Sequence, residues 1–307
     1  MNRFLFSGLV FLLLAPAVSG CATVRDASDA AKYGQRAQGG DEGAVKALIG
    51  ALSSDDKKVR DAAYDALTAA GPKAVPQLIE TLSDNDPAVR EYAAGALGNI
   101  GDERAVGPLL KMLDYPVSRK YVAAWALGEI KAVSAVDRLI AALGEKNEAL
   151  QKESTRALIK IGKDSVPALI KALQSPDRDT RKYAARVLGV IEDNRAEEPL
   201  IALLGDPDHE VTAAAALALG TTGGEKSIKP LIATLSVKDM NTQVNTSIAL
   251  GQLDAKDAVD PLTKIMEEDD DPYVRQWSAR ALENITGNRY KYKDEYGDMV
   301  FPYNLYR

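Results

Sequence analysis

Apolar residues along this chain fall into short helical stripes that return at a fixed distance. In the clearest stretch Val75, Leu78, Ile79 and Leu82 occupy positions i, i+3, i+4 and i+7, one face of a helix. Pro76 sits in its first turn, where the missing N–H is harmless. An acidic turn follows, in which Asp86 serves as N-cap and Pro87 opens a second helix. Val89, Ala93, Ala96, Leu97 and Ile100 form that helix's buried stripe, and its alanines allow neighbouring helices to come close. Gly101 closes it as a C′ glycine, matched by Gly71 and Gly162. The opening apolar position recurs at Val45, Val75, Val106, Val136, Val166, Ile228 and Val259, with Glu197 in the sixth copy, at steps of 30 or 31 residues. The pattern predicts eight helical hairpins between Ala44 and Gly287, each second helix ending in Ala-Leu-Gly or a close variant. A lone helix pair cannot bury these faces, so the hairpins must stack into a solenoid, which offers a long surface rather than one deep cleft.

Composition narrows the chemistry. The 307 residues are 46% hydrophobic and 6% aromatic, which fits helices packed through Ala, Leu, Val and Ile. Lys and Arg number 38 against 44 Asp and Glu, a net charge of −6 with no long basic run, which argues against a nucleic-acid partner. There is one cysteine, Cys21, and one histidine, His209. Zinc sites, Cys-His nucleophile pairs and Ser-His-Asp triads each need a histidine or a second thiol, so the catalytic inventory is nearly empty. No cofactor is expected.

The N-terminus reads as an address. Arg3 supplies a positive start, Phe4 to Leu14 an apolar core too short to span a bilayer, and Ala15 to Gly20 are mostly small, as in a secretory signal over residues 1–20. Val18-Ser19-Gly20-Cys21 resembles the lipobox of bacterial lipoproteins. That resemblance implies cleavage before Cys21, acylation of its thiol and amine, and stable membrane attachment through two or three chains. With Ala22 rather than Asp after the cysteine, it further implies the outer membrane, facing the periplasm. Residues 21–42 would then carry the lipid and a short tether, partly helical around Ala27–Ala37.

The repeat itself, over residues 43–287, resembles the short HEAT-like repeats first associated with phycobilin lyases. The resemblance implies an all-α, right-handed α-solenoid. It also gives meaning to one polar column, the position after Val89 and its equivalents. Arg60, Arg90, Lys120, Arg181 and Arg275 stand there, with Gln151, Thr212 and Gln243 in the fourth, sixth and seventh copies. In HEAT-like repeats such arginines form a ladder with turn aspartates (here Asp56, Asp86, Asp177 and Asp271) between neighbouring units. Stacking is therefore expected to be looser in the three copies that lack the basic residue.

Three positions of each second helix point away from its buried stripe. They hold Tyr92, Tyr121, Trp125, Arg156, Tyr183, Arg186, Trp277 and Arg280. Second helices line the concave face of HEAT solenoids, so these side chains are expected along one groove about 70 Å long, from helices spaced about 8–10 Å apart. Trp, Tyr and Arg are the residue types enriched at binding hot spots. Residues 288–307 break the repeat and concentrate Tyr290, Tyr292, Tyr296, Phe301, Tyr303 and Tyr306, an aromatic tail that either caps the last hairpin or binds a partner.

Other motifs carry little chemistry. His209-Glu210 is a single dyad, whereas the di-iron HEAT-like enzyme deoxyhypusine hydroxylase uses several. Glu267 to Asp271 lacks the glycine and alternating spacing of a calcium loop, and no phosphate-binding P-loop occurs. The leading expectation is a non-catalytic, monomeric scaffold, lipid-anchored in a bacterial envelope, that holds an envelope protein or extended peptide along its second helices. The alternatives are a phycobilin-lyase-like helper acting on a tetrapyrrole or its acceptor protein, and a passive envelope spacer.

Overall fold

A computed structural model describes residues 23–114 and 119–302. Cys21, the signal segment, Tyr303 and Tyr306 lie outside them. Eight helical hairpins follow one another: α2 (Glu42–Ala51) with α3 (Lys57–Ala70), α4 (Val75–Thr81) with α5 (Pro87–Ile100), α6 (Val106–Asp114) with α7 (Lys120–Glu129), and α8 (Val136–Leu143) with α9 (Glu148–Ile161). The second half continues with α10 (Val166–Ala172) and α11 (Arg178–Ile191), α12 (Glu197–Leu203) and α13 (His209–Thr222), α14 (Glu225–Thr234) and α15 (Met240–Gln252), and α16 (Val259–Glu268) and α17 (Pro272–Thr286). The α-solenoid expected from the period is the fold of the chain. No helix among the described residues is long and apolar enough to cross a membrane.

Seven of the eight second helices begin under a side-chain cap, Asn147 serving α9, while α7 after Arg119 has none. Asp56, Asp86, Asp177, Asp208, Asp239 and Asp271 accept hydrogen bonds from the first free backbone N–H groups of their helices. These aspartates are therefore occupied as caps, and the basic column does not pair with them. Instead Arg60 Nη1 donates to the carbonyls of Ser54 and Asp55 at 2.6 and 3.0 Å, and Arg90 and Arg275 repeat that clamp on their own turns. Three residues of this column reach a neighbouring unit's carboxylate: Arg181 grips Asp206 through Nε and Nη2 at 2.7 and 2.9 Å, Lys120 meets Glu145 at 3.3 Å and Gln243 donates to Asp269 at 3.2 Å. Where the basic residue is missing, a shorter donor binds a carbonyl of the same hairpin: Thr212 reaches Asp206, at the arginines' spacing, while Gln151 reaches Leu143 and Gln243 reaches Leu235, two residues further back. The column staples hairpin turns, and it does not set how closely units stack.

Closeness of stacking belongs to a different column. The glycine of each Ala-Leu-Gly lies against an alanine of the next second helix, so near that a Cβ on the glycine would stand 2.8 Å from the Ala126 Cα for Gly98, 2.6 Å from the Ala157 Cα for Gly128 and 2.8 Å from the Ala218 Cα for Gly189. Gly220 on Ala249 and Gly251 on Ala281 follow at 2.9 and 3.2 Å. No side chain fits in these contacts. The column fails at two junctions, where Thr68 faces Ala96 and Ile159 faces Val187. There the second helices touch far less, and α11 leans on α8 as much as on α9. The copies expected to stack loosely include the sixth and seventh, whose second helices α13 and α15 are among the most closely packed. That expectation is corrected for the sixth and seventh copies; the fourth does open toward the fifth, but there too the residue that opens the junction is a bulky one in the glycine column.

Neighbouring second helices pack along much of their length, whereas first helices meet at few points. The second-helix layer, made of α3, α5 and their successors, is thus the more closely packed of the two and is called the inner layer. Between the layers lie leucines such as Leu48, Leu67, Leu97, Leu127, Leu158 and Leu169, all fully buried. Each contributes about 1.5–3 kcal/mol relative to exposure.

The two open junctions carry a strap on their loop side. Arg104, oriented by Asp102, donates to the Pro72 carbonyl at 2.9 Å, and Arg195, oriented by Asp193, donates to the Lys163 carbonyl at 3.2 Å. Each bond spans the hairpin that follows an open junction.

Both ends of the stack are packed: the helix expected around Ala27–Ala37 forms, and the aromatic tail lies on the last hairpin. Residues 27–38 form α1 (Ala27–Gln38), which buries Ala30, Gly34 and Ala37 and packs along α3. A Cβ on Gly34 would stand 3.0 Å from Ala66 Cβ, so α1 extends the glycine–alanine column by one layer. At the other end β1 (Tyr292–Lys293) and β2 (Met299–Val300) make an antiparallel ribbon, the only strands among the described residues. Tyr292 is buried, β1 packs on α16 and α17, and Arg275 donates to the carbonyls of Lys293 and Asp294 at 2.7 and 3.3 Å. Glu197, the exception in the opening apolar column, accepts from Gly224 N at 2.7 Å and Ser227 Oγ at 2.9 Å. It caps α14 from the preceding hairpin, because Gly224 has no side chain to do so.

Candidate functional site

A concavity lined by aromatic rings lies at the first open junction. With Thr68 in the glycine column, α3 and α5 part, and a groove of about 760 Å³ opens between α3, α5 and α7. Tyr64, Tyr92 and Trp125 line it. The Tyr64 and Tyr92 rings lie 5.9 Å apart at 59°, a tilted pair. Gly95 stands where the other second helices carry Asp65, Trp125, Arg156, Arg186, Leu217, Ile248 and Arg280, and this missing side chain deepens the groove. A Cβ on Gly95 would sit 3.3 Å from the Tyr64 ring.

Polar groups around the rings are held in place. Arg119 is in the left-handed region at φ 82° and forms an ion pair with Glu91, which also accepts from the Tyr121 hydroxyl at 3.1 Å. Arg60 is directed at its own turn carbonyls. Tyr64 Oη accepts from Asn99 Nδ2 at 2.6 Å, and burial, with the Asp65 carboxylate beside it, pushes the phenol's pKa up. Asp55 and Asp86 complete the rim, Asp86 capping α5 through the Ala88 N–H.

Of the eight side chains read as a binding face, the structure gathers Tyr92 and Trp125 in this groove and spreads the others along the inner layer. Trp125 is half-buried against Gly98. Tyr121 lies beside the groove and is tied to Glu91. Arg156 is exposed and pairs with Glu153 at 2.8 Å. Tyr183, next to the second open junction, donates to Gln151 Oε1 at 3.3 Å, with the Arg186 guanidinium 5.6 Å and the Lys182 ammonium 5.1 Å from its ring centre. Trp277 meets Tyr273 edge to face at 6.1 Å and carries Arg280 over its ring at 5.6 Å. Trp277 Nε1 is buried without a hydrogen-bond partner. Tyr64 was absent from the sequence-derived face because it lies two positions further along its helix than Tyr92 does on its own. Its signal was the glycine opposite it.

Elsewhere the sequence motifs resolve into local structure. His209 is the exposed first residue of α13. In the acidic run Asp269 accepts from Gln243 at 3.2 Å and Asp271 caps α17. Among the described residues no group of three or more His, Cys, Asp or Glu side chains is arranged to hold a metal ion. Beside the fifth and sixth hairpins Arg178 and Lys182 share Glu210, and Arg178 also reaches Asp208, which holds Glu210 below the usual carboxylate range.

Comparison with known proteins gives a family signal over most of the chain. Residues 45–120, 166–243 and 228–292 match the model for HEAT repeats. Residues 120–145 match the PBS lyase HEAT-like repeat. No curated protein matches the chain significantly. Among solved structures, importin beta in an ammonium sulfate condition shares 14% identity over 84% of this chain and 44% of that one, with a TM-score of 0.59, so this chain spans less than half of it. The complex of CpcE and CpcF of phycocyanin lyase from Nostoc shares 24% identity over 48% of this chain and 98% of that one, with a TM-score of 0.46. An engineered protein shares 26% identity over 84% of both chains, with a TM-score of 0.42. Of these, the importin beta likeness bears on the fold, and on the fold alone.

Proposed function

The chain belongs to the HEAT-repeat family, and we propose that it is a non-catalytic scaffold, anchored by lipid at Cys21 in a bacterial cell envelope, that holds an envelope protein along its second-helix layer. The observation that carries this reading is the inner face itself. Tyr92, Trp125, Tyr183 and Trp277 lie along the second-helix layer, Tyr92 and Tyr183 at its two open junctions, with Arg186 and Arg280 placed over aromatic rings. Aromatic and arginine anchors on a preorganised surface are what a protein partner binds most strongly. The lipobox-like Val18-Ser19-Gly20-Cys21 supports the anchor.

Photo-crosslinking amino acids placed singly at Arg156 and Arg186 on the inner face, and at Lys111 and Lys171 on exposed first helices, test the scaffold in intact cells. Crosslinks to one protein from the inner positions only are expected. Equal crosslinking from both layers, or none from the inner one, sinks the reading. The anchor is tested separately by metabolic labelling with an alkyne fatty acid. Label should enter the wild type and vanish, with release from membranes, in Cys21→Ser. A tetrapyrrole-related role remains the second reading, supported by the PBS lyase HEAT-like match over residues 120–145. A chromophore absorbing visible light would co-purify if it held.

A further inference from the structure

We propose that the groove between α3, α5 and α7 receives a single cationic side chain, lysine or arginine, presented by an extended segment of the partner protein. The proposal deepens the scaffold reading above and rests on it. Three aromatic rings, Tyr64, Tyr92 and Trp125, line one concavity, and aromatic faces attract a cation through their quadrupoles. The charges around the rings favour the same sign. Asp55 and Asp86 form no ion pair among the described residues, while Glu91 is matched by Arg119 and Arg60 is bound to turn carbonyls. Carbonyls do not neutralise Arg60, so the lining sets two unpaired carboxylates against one guanidinium, and this excess of negative charge favours an incoming ammonium or guanidinium over an incoming carboxylate.

Shape agrees with charge. The volume of about 760 Å³ lies in the range of about 300–1,000 Å³ usual for ligand pockets. Two local departures from the repeat create it: Thr68 in the glycine column separates the helices, and Gly95 leaves out the side chain that would fill the space. Arg119 is held at a positive φ of 82° where it meets Glu91, a strained conformation of the sort that clusters at binding sites.

The test uses the full-length chain in detergent micelles and fluorescently labelled Gly-Ser nonapeptides with one central residue: arginine, citrulline (the same shape without charge) or glutamate. Fluorescence anisotropy should give the arginine peptide at least tenfold tighter binding than citrulline, with glutamate weakest. Gly95→Leu should abolish the preference by filling the groove. Leucine is a better helix former than glycine, so the variant should fold once the Tyr64 ring shifts by a few tenths of an ångström. If circular dichroism shows that it does not, Tyr92→Leu serves in its place. Asp55→Asn with Asp86→Asn should weaken arginine binding several-fold. Equal affinities for arginine and citrulline, no binding at millimolar peptide, or wild-type affinity in folded Gly95→Leu would each overturn the proposal. Crosslinks from Arg156 and Arg186 that persist in Gly95→Leu after such a failure would leave the scaffold standing without a cation-binding groove. Loss of the inner-layer preference in the wild type would remove the scaffold itself.

Discussion

The junction between α7 and α9 and the junction between α9 and α11 join hairpins of the same kind but meet in different ways. At the first, Gly128 lets the α9 backbone come within reach of a Cβ position, 2.6 Å from the Ala157 Cα. At the second, Ile159 and Val187 occupy the equivalent places, and the second helices stand apart. The contact moves to the turn, where a Cβ on Gly144 would stand 2.8 Å from both Asp177 Oδ2 and Thr180 Oγ1. Hairpins of one kind thus stack closely or stand apart according to one small residue. The first open junction, with Thr68, shows the same cause and hosts the aromatic groove. In a solenoid each unit contacts mainly its neighbours, so one column can tune spacing locally without altering the fold.

The largest effect is expected from forcing a closed junction open. In Gly128→Val the new side chain meets backbone and not a movable side-chain end. Overpacking of that kind costs typically about 1–3 kcal/mol, and the upper end or beyond is expected here. Urea unfolding would measure it. A variant as stable as the wild type would show that the glycine column does not hold the helices together. The control is Thr68→Gly at the open junction, where no close contact awaits the change and only the helix-propensity loss of about 1 kcal/mol is expected.

The converse change should close a junction. Ile159→Gly with Val187→Ala installs the glycine–alanine pair between α9 and α11. Spin labels on exposed Lys160 and Val190 should report a shorter separation, consistent with helix axes about 8–10 Å apart. Closure would offset part of the loss of two buried aliphatic groups. An unchanged distance with a stability loss of about 2–4 kcal/mol would mean that the splay has another origin.

How far all this was legible depends on the kind of signal. The period of 30 or 31 residues and the stripe beginning at Val75 were enough to derive the solenoid, because hydrophobic spacing is repeated eight times and errors average out. Single-copy departures were harder. Gly98 and Gly128 were visible in every Ala-Leu-Gly, yet a glycine's value lies in what approaches it, and that is a property of the neighbouring unit. Tyr64 escaped notice for the same reason, since its importance comes from Gly95 one hairpin later. The α1 helix was legible around Ala27–Ala37, but with few apolar residues its packing on the stack was not, since it is held by the same glycine contact through Gly34. The arginine column was recognised as structural, but sequence alone could not distinguish a bond to a neighbour's carboxylate from a bond to a carbonyl of the same turn.

A smaller effect separates capping from stacking. Glu197→Ala removes the bonds to Gly224 N and Ser227 Oγ while leaving the closed Gly189–Ala218 and Gly220–Ala249 contacts intact. A loss of about 1–2 kcal/mol is expected. Hydrogen exchange should rise at the first turn of α14 and not along α13 or α15. Faster exchange in both second helices would show that the cap and the glycine column act as one unit.

The smallest effect concerns the straps across the open junctions. Hydrogen bonds from Arg195, its side chain first and then its backbone N–H, hold the Asp193 carboxyl at a pKa of about 2. A carboxylate with a depressed folded-state pKa stabilises above its unfolded value, about 3.9, and that contribution is lost as pH falls through about 2. The guanidinium is largely solvent-exposed, so global stability should change little over this window. The local readout is the bond from Arg195 to the Lys163 carbonyl, which Asp193 orients. Hydrogen exchange around residues 162–165, taken relative to the intrinsic amide rate at each pH, should quicken on acidification in the wild type. In Asp193→Asn it should already be quick at neutral pH, because asparagine can keep the turn's cap but not the ion pair. Asp102 and Arg104, with Pro72, should behave alike at the first open junction. If exchange in these loops is indifferent to both pH and the asparagine, the open junctions hold their geometry through the remaining helix contacts alone, and the arginines bridging them are incidental.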